Sequence, residues 1–451
     1  MTLPRYPAYK DSGVEWLEQV PVEWQLERLK RVCNVFPSNV DKKMYDGDPL
    51  VSLCNYTDVY YNELIVEGMP LMAATATVEQ VQKFTLQTDD TIITKDSETP
   101  DDIGISAYVP QTLPGVVCGY HLSMVRPMAG TSGRFIKRFF DSGFAKAQMQ
   151  VAANGLTRVG LSQSALDNLF VPYPPLPEQT AIATFLDHET SKIDALIAEQ
   201  KNLIALLKEK RQAVISHAVT KGLNPDVPMK DSGVEWLGEV PAHWEVGRIS
   251  AMTHKITNGY VGPTRDILVD DGVRYLQSLH IKENRIRFDD RYFVTEEWSN
   301  QHAKSILQSG DVLVVQTGDI GQVSVVTPEF AGCNCHALII LTPVKSRLTG
   351  DWLASVLNST FGFHSLLAIQ TGALHPHLNC GNVKDLSIPI PPLGEQELIT
   401  EEVKRVVAEL EELSQEVQGA LRLLVERRSA LISAAVTGKI DVRGLASQEA
   451  A

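Results

Sequence analysis

Two clusters of basic side chains are the residues of this sequence best suited to bind a polyanion. In the first cluster, i, i+3 and i+4 spacing predicts that three bases share one face of a helix. In the second, bases alternate with other residues and lie close to Phe288 and Tyr292, which predicts one face of a strand or extended loop. Side chains so placed can contact phosphates and base edges. The clusters are Arg134, Lys137, Arg138 and Lys146, and Lys282, Arg285, Arg287 and Arg291.

The overall charge limits how such clusters can act. With 41 Lys and Arg against 55 Asp and Glu, the net charge is −14. An acidic protein does not bind polyanions through its general field, so a binding site must be a local patch. For each base taken singly, an ordinary solvated surface is the alternative.

Other chemistry has few candidate residues. Cys333-Asn-Cys335-His336 resembles a pair of metal ligands, but it precedes an apolar run and is better read as a buried strand, so no metal site is predicted. The sequence lacks a phosphate-binding Gly-x-x-x-x-Gly-Lys-Ser/Thr loop, and Gly318–Gly321 reads as a hairpin turn. We therefore nominate no catalytic residue and no cofactor in this chain.

Cysteine usage and hydropathy indicate the compartment. Six irregularly spaced cysteines are too few for a disulfide framework, which predicts a reducing cytoplasm. The start of the chain has no signal-peptide core. Residues 103–125 carry no charge but are broken by Pro and Gly, so no membrane span is expected.

The elements that must position the basic clusters are repeated. Residues 10–17 and 230–237 share all eight letters at an offset of 220. Pro-Pro-Leu with Glu-Gln stands at 174–179 and again at 391–396, an offset of 217. The intervening stretches have almost no similarity to each other, so one frame carries two dissimilar inserts.

A long helix is predicted after each Pro-Pro-Leu. Apolar residues follow alternating steps of four and three for about five heptads, the pattern of a coiled coil. About 38 residues at 1.5 Å each make a rod of roughly 55–60 Å, and antiparallel pairing of the two rods is expected. The predicted seam is Ile182, Leu186, Ile193, Leu196, Leu203, Leu207, Val214, Ile399, Val403, Leu410, Leu413, Val417, Leu424 and Leu431.

The inserts read as mixed α/β domains. Strands are predicted at 90–94, 311–316 and 322–327, and helices at 135–150 and 352–370. The fold class is therefore α+β or mixed, with two α/β domains separated by a pair of long antiparallel coiled-coil helices. The predicted limits are 1–170 and 229–387 for the domains, 171–228 and 388–445 for the repeated helical regions, and 446–451 for a tail.

This combination resembles the specificity subunit of type I restriction–modification enzymes. The residues that carry the resemblance are Trp-Leu…Val-Pro…Trp at the start of each half, a Gly-x-Thr-Arg-like loop at 155–158, and Pro-Pro-Leu-x-Glu-Gln opening each long helix. It runs from Tyr9 to about Gly444. The second half departs at Leu374-His375, in place of Thr-Arg, and there His375 and His377 either replace Arg158 or are plain surface residues.

The resemblance implies an internal pseudo-twofold repeat with two target-recognition domains. Each domain would read half of a split double-stranded DNA target, with the helices as a ruler and with Arg158, His375 and His377 added to the candidate DNA contacts. It implies no catalysis in this chain. Two methyltransferase (modification) subunits using S-adenosylmethionine, and restriction/translocase subunits using ATP and Mg²⁺, would be the partners. A protein-only coiled-coil scaffold, and a related system with a fused methyltransferase–nuclease partner, are the alternatives.

Overall fold

The computed structural model describes residues 3–282, 284–372 and 374–445, so the predicted tail lies outside the described residues. The chain divides into two compact units. Unit 1 comprises Met1–Lys201 with Gly419–Ala451, and unit 2 comprises Asn202–Gln418. Both divisions fall inside long helices rather than at the predicted domain limits, and those limits stay a prediction.

Unit 1 has short strands and helices before its long helix. Its strands are Tyr9–Asp11, Gln19–Pro21, Gln25–Arg28, Cys33–Pro37, Leu50–Cys54, Met72–Thr75, Thr91–Thr94, Asp96–Ser97, Ser106–Tyr108, Val116–Cys118, Leu122–Pro127, Val159–Gly160 and Phe170–Tyr173. Its shorter helices are Leu29–Val32, Tyr56–Tyr60, Val78–Phe84, Pro100–Asp102 (3₁₀), Gly133–Asp141, Gly143–Ala152 and Gln163–Asp167.

Unit 2 follows a similar order. Its strands are Met229–Asp231, Glu239–Pro241, Glu245–Arg248, Thr253–Asn258, Leu268–Val269, Val273–Leu276, Ile281–Lys282, Arg285–Ile286, Phe293–Val294, Val312–Val315, Val323–Val325, Asn334–Cys335, Leu338–Pro343 and Ser387–Ile390. Its shorter helices are Ile249–Met252, Ser278–His280 (3₁₀), Glu296–Gln301, Ala303–Ser305 (3₁₀), Pro328–Phe330 (3₁₀), Gly350–Asn358, Thr360–Ala368 and Cys380–Val383.

Each unit contains a four-stranded antiparallel sheet with the same relative strand order, although the inserts differ in sequence. One of the two inner strands is Thr91–Thr94 in unit 1 and Val312–Val315 in unit 2, and both are buried on both faces. Alternate residues therefore enter two separate cores, as with Leu313 on one side and Val314 on the other. This explains why these strands are continuous apolar or Thr-rich runs.

The helix that follows each sheet is broken, unlike the single helices predicted at 135–150 and 352–370. The break lies at Ser142 in unit 1 and at Ser359 in unit 2. Each serine hydroxyl accepts a hydrogen bond from a backbone N–H of the next helix, Ala145 N at 3.2 Å and Gly362 N at 3.1 Å. A serine that caps a new helix competes with continuation of the old one, and this was missed in the sequence.

The two long helices are Leu176–Lys221 and Leu393–Val436, with 46 and 44 residues. At 1.5 Å per residue the first is about 69 Å long. Gly222 and Gly438 follow the ends with φ of +77° and +73°, a left-handed conformation that terminates a helix. Each long helix contributes its N-terminal part to one unit and its C-terminal part to the other.

Within unit 2, the two helix segments run antiparallel. Leu207, Leu410 and Val417 form a small buried cluster with Ile204 and Val406 packed against it. Elsewhere the seam residues join larger cores. Those that pack with the mixed α/β inserts are Ile182, Leu186 and Leu431 in unit 1 and Ile399 and Val403 in unit 2.

The predicted seam is not buried along its whole length. Leu196, Leu203 and Leu413 are 45%, 36% and 41% exposed, which corrects the expectation that they are core residues. These leucines lie near the positions in the long helices where the two units divide, Lys201/Asn202 and Gln418/Gly419. They are exposed because a pair of helices without further neighbours buries only a narrow face of each helix. Of the remaining seam positions, Ile193 is buried, and Val214 and Leu424 are half-buried. None of the helices in the described residues combines the length and apolarity needed to cross a membrane.

Candidate nucleic-acid interface

The mixed α/β insert of each unit is joined to its long helix by the glutamine of the Glu-Gln motif. Gln179 is fully buried; its Oε1 accepts from Ser132 N at 2.9 Å and its Nε2 donates to Pro174 O at 2.9 Å. Gln396 does the same with Thr349 N and Pro391 O, at 2.9 and 2.8 Å. Because both ends of a buried amide are satisfied, this contact fixes the domain on the helix. It explains the glutamine in both copies.

Beside this glutamine, unit 1 has an ion-pair network. The Asp187 carboxylate of the long helix accepts from Arg138 Nε and Nη2 at 3.0 and 2.8 Å and also pairs with Arg134. Lys137 pairs with Asp141 at 2.7 Å and with Glu63 at 3.7 Å. Arg134 and Arg138 thus connect the insert to the helix electrostatically, while the Lys137 pairs lie within the insert.

A second part of the network reaches the other long helix. Arg428 Nε donates to Asp194 at 2.7 Å, and its Nη2 donates to Glu63. Burial on its own would raise the pKa of Glu63, but Lys137, Arg428 and Arg138 outweigh it and hold that pKa below its ordinary value. Glu63 is therefore a charged link between the insert and the frame.

The network changes the role of the first basic cluster. Lys137 and Arg138 are 5% and 8% exposed, and their charges are taken up by internal carboxylates. The prediction that they contact DNA is corrected, because the predicted helical face points at the long helix and not at solvent. Arg134 is partly exposed but is paired with Asp187. Only Lys146 of this cluster is freely exposed.

Unit 1 exposes other cations that the sequence reasoning missed. Lys42 and Lys43 are adjacent and exposed in the loop that follows the first strand of the four-stranded sheet. Tyr45, 50% exposed, lies in the same loop, where its N–H donates to Thr75 Oγ1 at 2.8 Å. The signal for this site was a Lys-Lys pair with a nearby tyrosine in a segment rich in turn-forming residues. Exposed lysines on a loop can contact the phosphates of a duplex.

In unit 2, the second basic cluster forms a hairpin. Arg285 pairs with Lys282 across it, and the predicted alternation is present, with Arg285 and Arg287 outward and Ile286 and Phe288 inward. Lys282, Arg287 and Arg291 are exposed. Arg285 is also exposed but its guanidinium pairs with Glu411 of the second long helix. The structure therefore brings the cluster together but directs one member to the frame.

A buried histidine organises this hairpin. His280 Nδ1 accepts from Gln277 N at 2.8 Å and its Nε2 donates to Asp290 O at 2.6 Å. The backbone N–H of Arg287 donates to His280 O at 2.8 Å, and the Phe288 ring lies 5.1 Å from the imidazole. Burial lowers the pKa of His280, which keeps the ring neutral and able to accept at Nδ1. The imidazole thus links both ends of the arginine-bearing segment.

The Gly-containing loops before each long helix both have a glycine with a positive φ. Gly155 and Gly372 have φ of +146° and +93°, and a side chain on either would collide with a carbonyl three residues on, Arg158 O or His375 O. Arg158, His375 and His377 are all exposed. His377 closes its loop through Thr371 Oγ1 at 3.2 Å. These three residues are thus accessible, and their contact with DNA stays a prediction.

One ion pair between the insert and the long helix is equivalent in position in the two units but reversed in charge. At an offset of 217, Arg134–Asp187 corresponds to Asp351–Lys404, which are 2.7 Å apart. Arg211 and Glu411, 3.5 Å apart, correspond to Arg428 and Asp194. The first insert adds an acid to this second pair, whereas the second insert adds a base, Arg285. The first pair is therefore reversed between the units, whereas the second keeps its signs and differs in the residue that each insert adds to it.

Comparison with known proteins decides the family. The family model described as "Type I restriction modification DNA specificity domain" matches residues 21–206 and 241–418, one match in each half. The chain belongs to this family. Two family matches on one chain confirm the internal repeat, and the resemblance drawn from the sequence motifs is confirmed.

Curated relatives agree along nearly the whole chain of this family member. It is 22% identical to the type I restriction enzyme EcoBI specificity subunit of Escherichia coli, over 96% of this chain and 90% of the relative. It is 22% identical to the putative type I restriction enzyme MjaX specificity subunit of Methanocaldococcus jannaschii, over 96% of this chain and 98% of the relative. The EcoKI specificity subunit of Escherichia coli strain K12 is 24% identical over 81% and 77%.

Solved structures of the same kind share the fold. A chain from a study of complex assembly and conformational transition of the type I R-M system aligns with a TM-score of 0.71 at 16% identity, covering 92% of this chain and 98% of that one. The HsdS subunit from Thermoanaerobacter tengcongensis aligns with a TM-score of 0.51 at 18% identity, covering 93% and 98%. The predicted fold class of this specificity-family chain is confirmed.

Proposed function

We propose that this chain is the DNA-sequence-recognition subunit of a type I restriction–modification complex and that each recognition domain reads one half of a split double-stranded DNA target. The observation that carries this proposal is that the chain matches the family twice, and that in each half a dissimilar domain is fixed to its long helix by the same buried glutamine contact. The same glutamine contacts combined with different exposed surfaces suit two domains that read different sequences. In this proposal the exposed cations contact phosphates and the neighbouring loops contact bases.

The chemistry is assigned to other subunits. The proposal gives this chain no catalytic residue and no cofactor, and expects two modification subunits with S-adenosylmethionine and restriction/translocase subunits with ATP and Mg²⁺. Its place would be the cytoplasm, where the DNA is and where six free cysteines remain reduced. A protein-only scaffold receives no support from the family match.

A salt-dependent gel shift with the assembled complex tests the DNA contacts. Replacing both Lys42 and Lys43 with Gln should reduce the slope of log K against log salt by about 1.8, because each phosphate contact contributes about 0.9. Lys282→Gln with Arg291→Gln should do the same for the second domain. The matched control is Lys201→Gln, an exposed lysine of the first long helix, which should leave the slope unchanged.

The recognised sequence provides a separate test. Methylome sequencing of a host that expresses only this restriction–modification system should show one split adenine-methylated motif. That motif should be lost when the gene for this chain is deleted. A complex that binds all duplexes alike, or binds none with its partners present, would refute a recognition role and favour the scaffold.

A further inference from the structure

The two hairpins that begin the halves, residues 9–21 and 229–241, carry the same octet, Lys-Asp-Ser-Gly-Val-Glu-Trp-Leu. They pair in the same register. Each also lies against the end of a long helix: a side chain at Gly438 would collide with Pro21, and Gly222 lies beside Pro241. The octet is thus presented on an equivalent platform in each unit.

Half of the octet is explained by the turn itself. In the first hairpin Asp11 Oδ1 accepts from Gly13 N at 2.9 Å, and Ser12 Oγ accepts from Val14 N at 3.1 Å. Gly13 has φ of +72°, and Leu17 is 1% exposed in the core. The second hairpin repeats these hydrogen bonds at 2.9 and 3.1 Å. These residues are identical in both copies because the same turn needs them.

The Glu-Trp pair of the octet has no such structural role. Trp16 is 54% exposed and Trp236 is 58% exposed. Throughout the described residues, neither indole N–H, nor the carboxylate of Glu15 or Glu235, has a hydrogen bond or ion pair. The buried part of each indole can contribute to folding, but its exposed half and its N–H have no role within the described residues, so the fold does not explain why the exposed surface is the same twice.

Exposed positions directly after the octet differ between the two copies, which shows that surface residues of this segment can change without loss of the hairpin. Four exposed positions differ at the 220 offset: Glu18 and Gly238, Gln19 and Glu239, Val22 and Ala242, Glu23 and His243. The Glu-Trp identity therefore reflects a constraint on the surface. The recognition surfaces of the two halves differ, whereas this one is shared.

A shared surface that occurs twice fits a partner that occurs twice. We propose that Glu15-Trp16 and Glu235-Trp236 are docking points for two copies of the same protein subunit, one on each unit. Tryptophan is enriched among interface residues that dominate binding, and its N–H and ring suit a pocket with a polar edge. The partner surface should hold an apolar pocket for the indole with a basic side chain near the carboxylate.

This inference rests on the proposed function, in which two identical modification subunits join the chain. The experiment is native mass spectrometry and titration of the complex assembled from this chain and its modification subunit. The variants are Trp16→Ala, Trp236→Ala and the double variant. Tyr61→Ala is the control, since Tyr61 is 77% exposed and lies in an insert.

Each single variant should weaken one of two binding events by about tenfold or more and accumulate a complex with one modification subunit. The double variant should lose both, with unchanged thermal unfolding, and Tyr61→Ala should bind two. Glu15→Arg should weaken the same event as Trp16→Ala. If the double variant binds two subunits as tightly as the wild type, the inference is overturned and the proposed function stands. If the wild type binds none, the proposed function itself fails.

A change in DNA affinity with unchanged subunit stoichiometry would also overturn the docking role, since it would assign the indoles to DNA. Circular dichroism and thermal unfolding of each variant separate these outcomes from loss of the hairpin, because Leu17 and Leu237, the buried residues of the octet, are left in place.

Discussion

Removing the charge of Asp187 should destabilise unit 1 far more than the matching change destabilises unit 2. In unit 1, Asp187 receives two hydrogen bonds from Arg138, which is 8% exposed, and pairs with Arg134. In unit 2 the matching pair, Asp351–Lys404, is exposed on both sides, at 40% and 63%. The two positions thus compare a partly buried network with a surface ion pair in one chain.

The structure sets the size of the difference. Hydrogen bonds to charged groups contribute about 1.5–3 kcal/mol. Arg138 retains Asp141 at 3.2 Å, and Asp187 is 33% exposed, so Asp187→Asn should cost about 2 kcal/mol. For a unit of this size that lowers the melting temperature by about 4–8 °C. Lys404→Gln should cost about 0–1 kcal/mol, as exposed pairs do.

Urea unfolding and calorimetry of the two variants measure this difference. Copying the charges of unit 2 into unit 1, with Arg134→Asp and Asp187→Lys, should not restore stability, because the buried Arg138 would then face a lysine. Equal losses for Asp187→Asn and Lys404→Gln, or full stability of the reversed pair, would refute the reasoning that the buried arginine makes the network important.

Three further predictions concern the charge of Glu63, the packing of Leu207 and the independence of the two inserts. Glu63 has a lowered folded pKa, so its ion pairs stabilise unit 1 above about pH 4.5 and lose that effect as the pH falls further; Glu63→Gln should flatten the acid limb of a plot of unfolding free energy against pH. Leu207→Ala should cost about 2 kcal/mol or more, against under 1 kcal/mol for the exposed Leu203→Ala, and equal urea midpoints would contradict the packing. Replacing residues 25–155 with the insert of a relative should change one half of the methylated motif only, and a change in both halves would argue against separate readers.

Much of the architecture could be predicted because it depends on repeated local patterns. The 3–4 apolar spacing predicted the long helices, and the structure shows Gly222 and Gly438 at their ends. The alternation of Arg285 and Arg287 predicted an outward face that the hairpin has. Such signals work because backbone periodicity and left-handed termini are set by residues a few positions apart.

The candidate site was harder, because exposure depends on residues distant in sequence. The spacing of Arg134, Lys137 and Arg138 correctly placed them on one helical face but could not show what faces it. Only folding brings the carboxylates of Asp187 and Glu63 to that face, where they pair with its basic side chains and neutralise their charge. For the same reason, exposed Lys42 and Lys43, on a loop, were overlooked in favour of a denser cluster.

The sequence by itself determined the duplicated frame, the long helices, the dissimilar inserts and the family. All of these are carried by periodicity and by short motifs that can be compared along the chain. The tertiary structure alone decided which cations are available and that the ion pair between insert and long helix is reversed in charge between the two units. The partner of a basic side chain can be a carboxylate dozens or hundreds of residues away in sequence, as for Arg428 and Glu63. A local sequence pattern therefore cannot show which basic residues are paired.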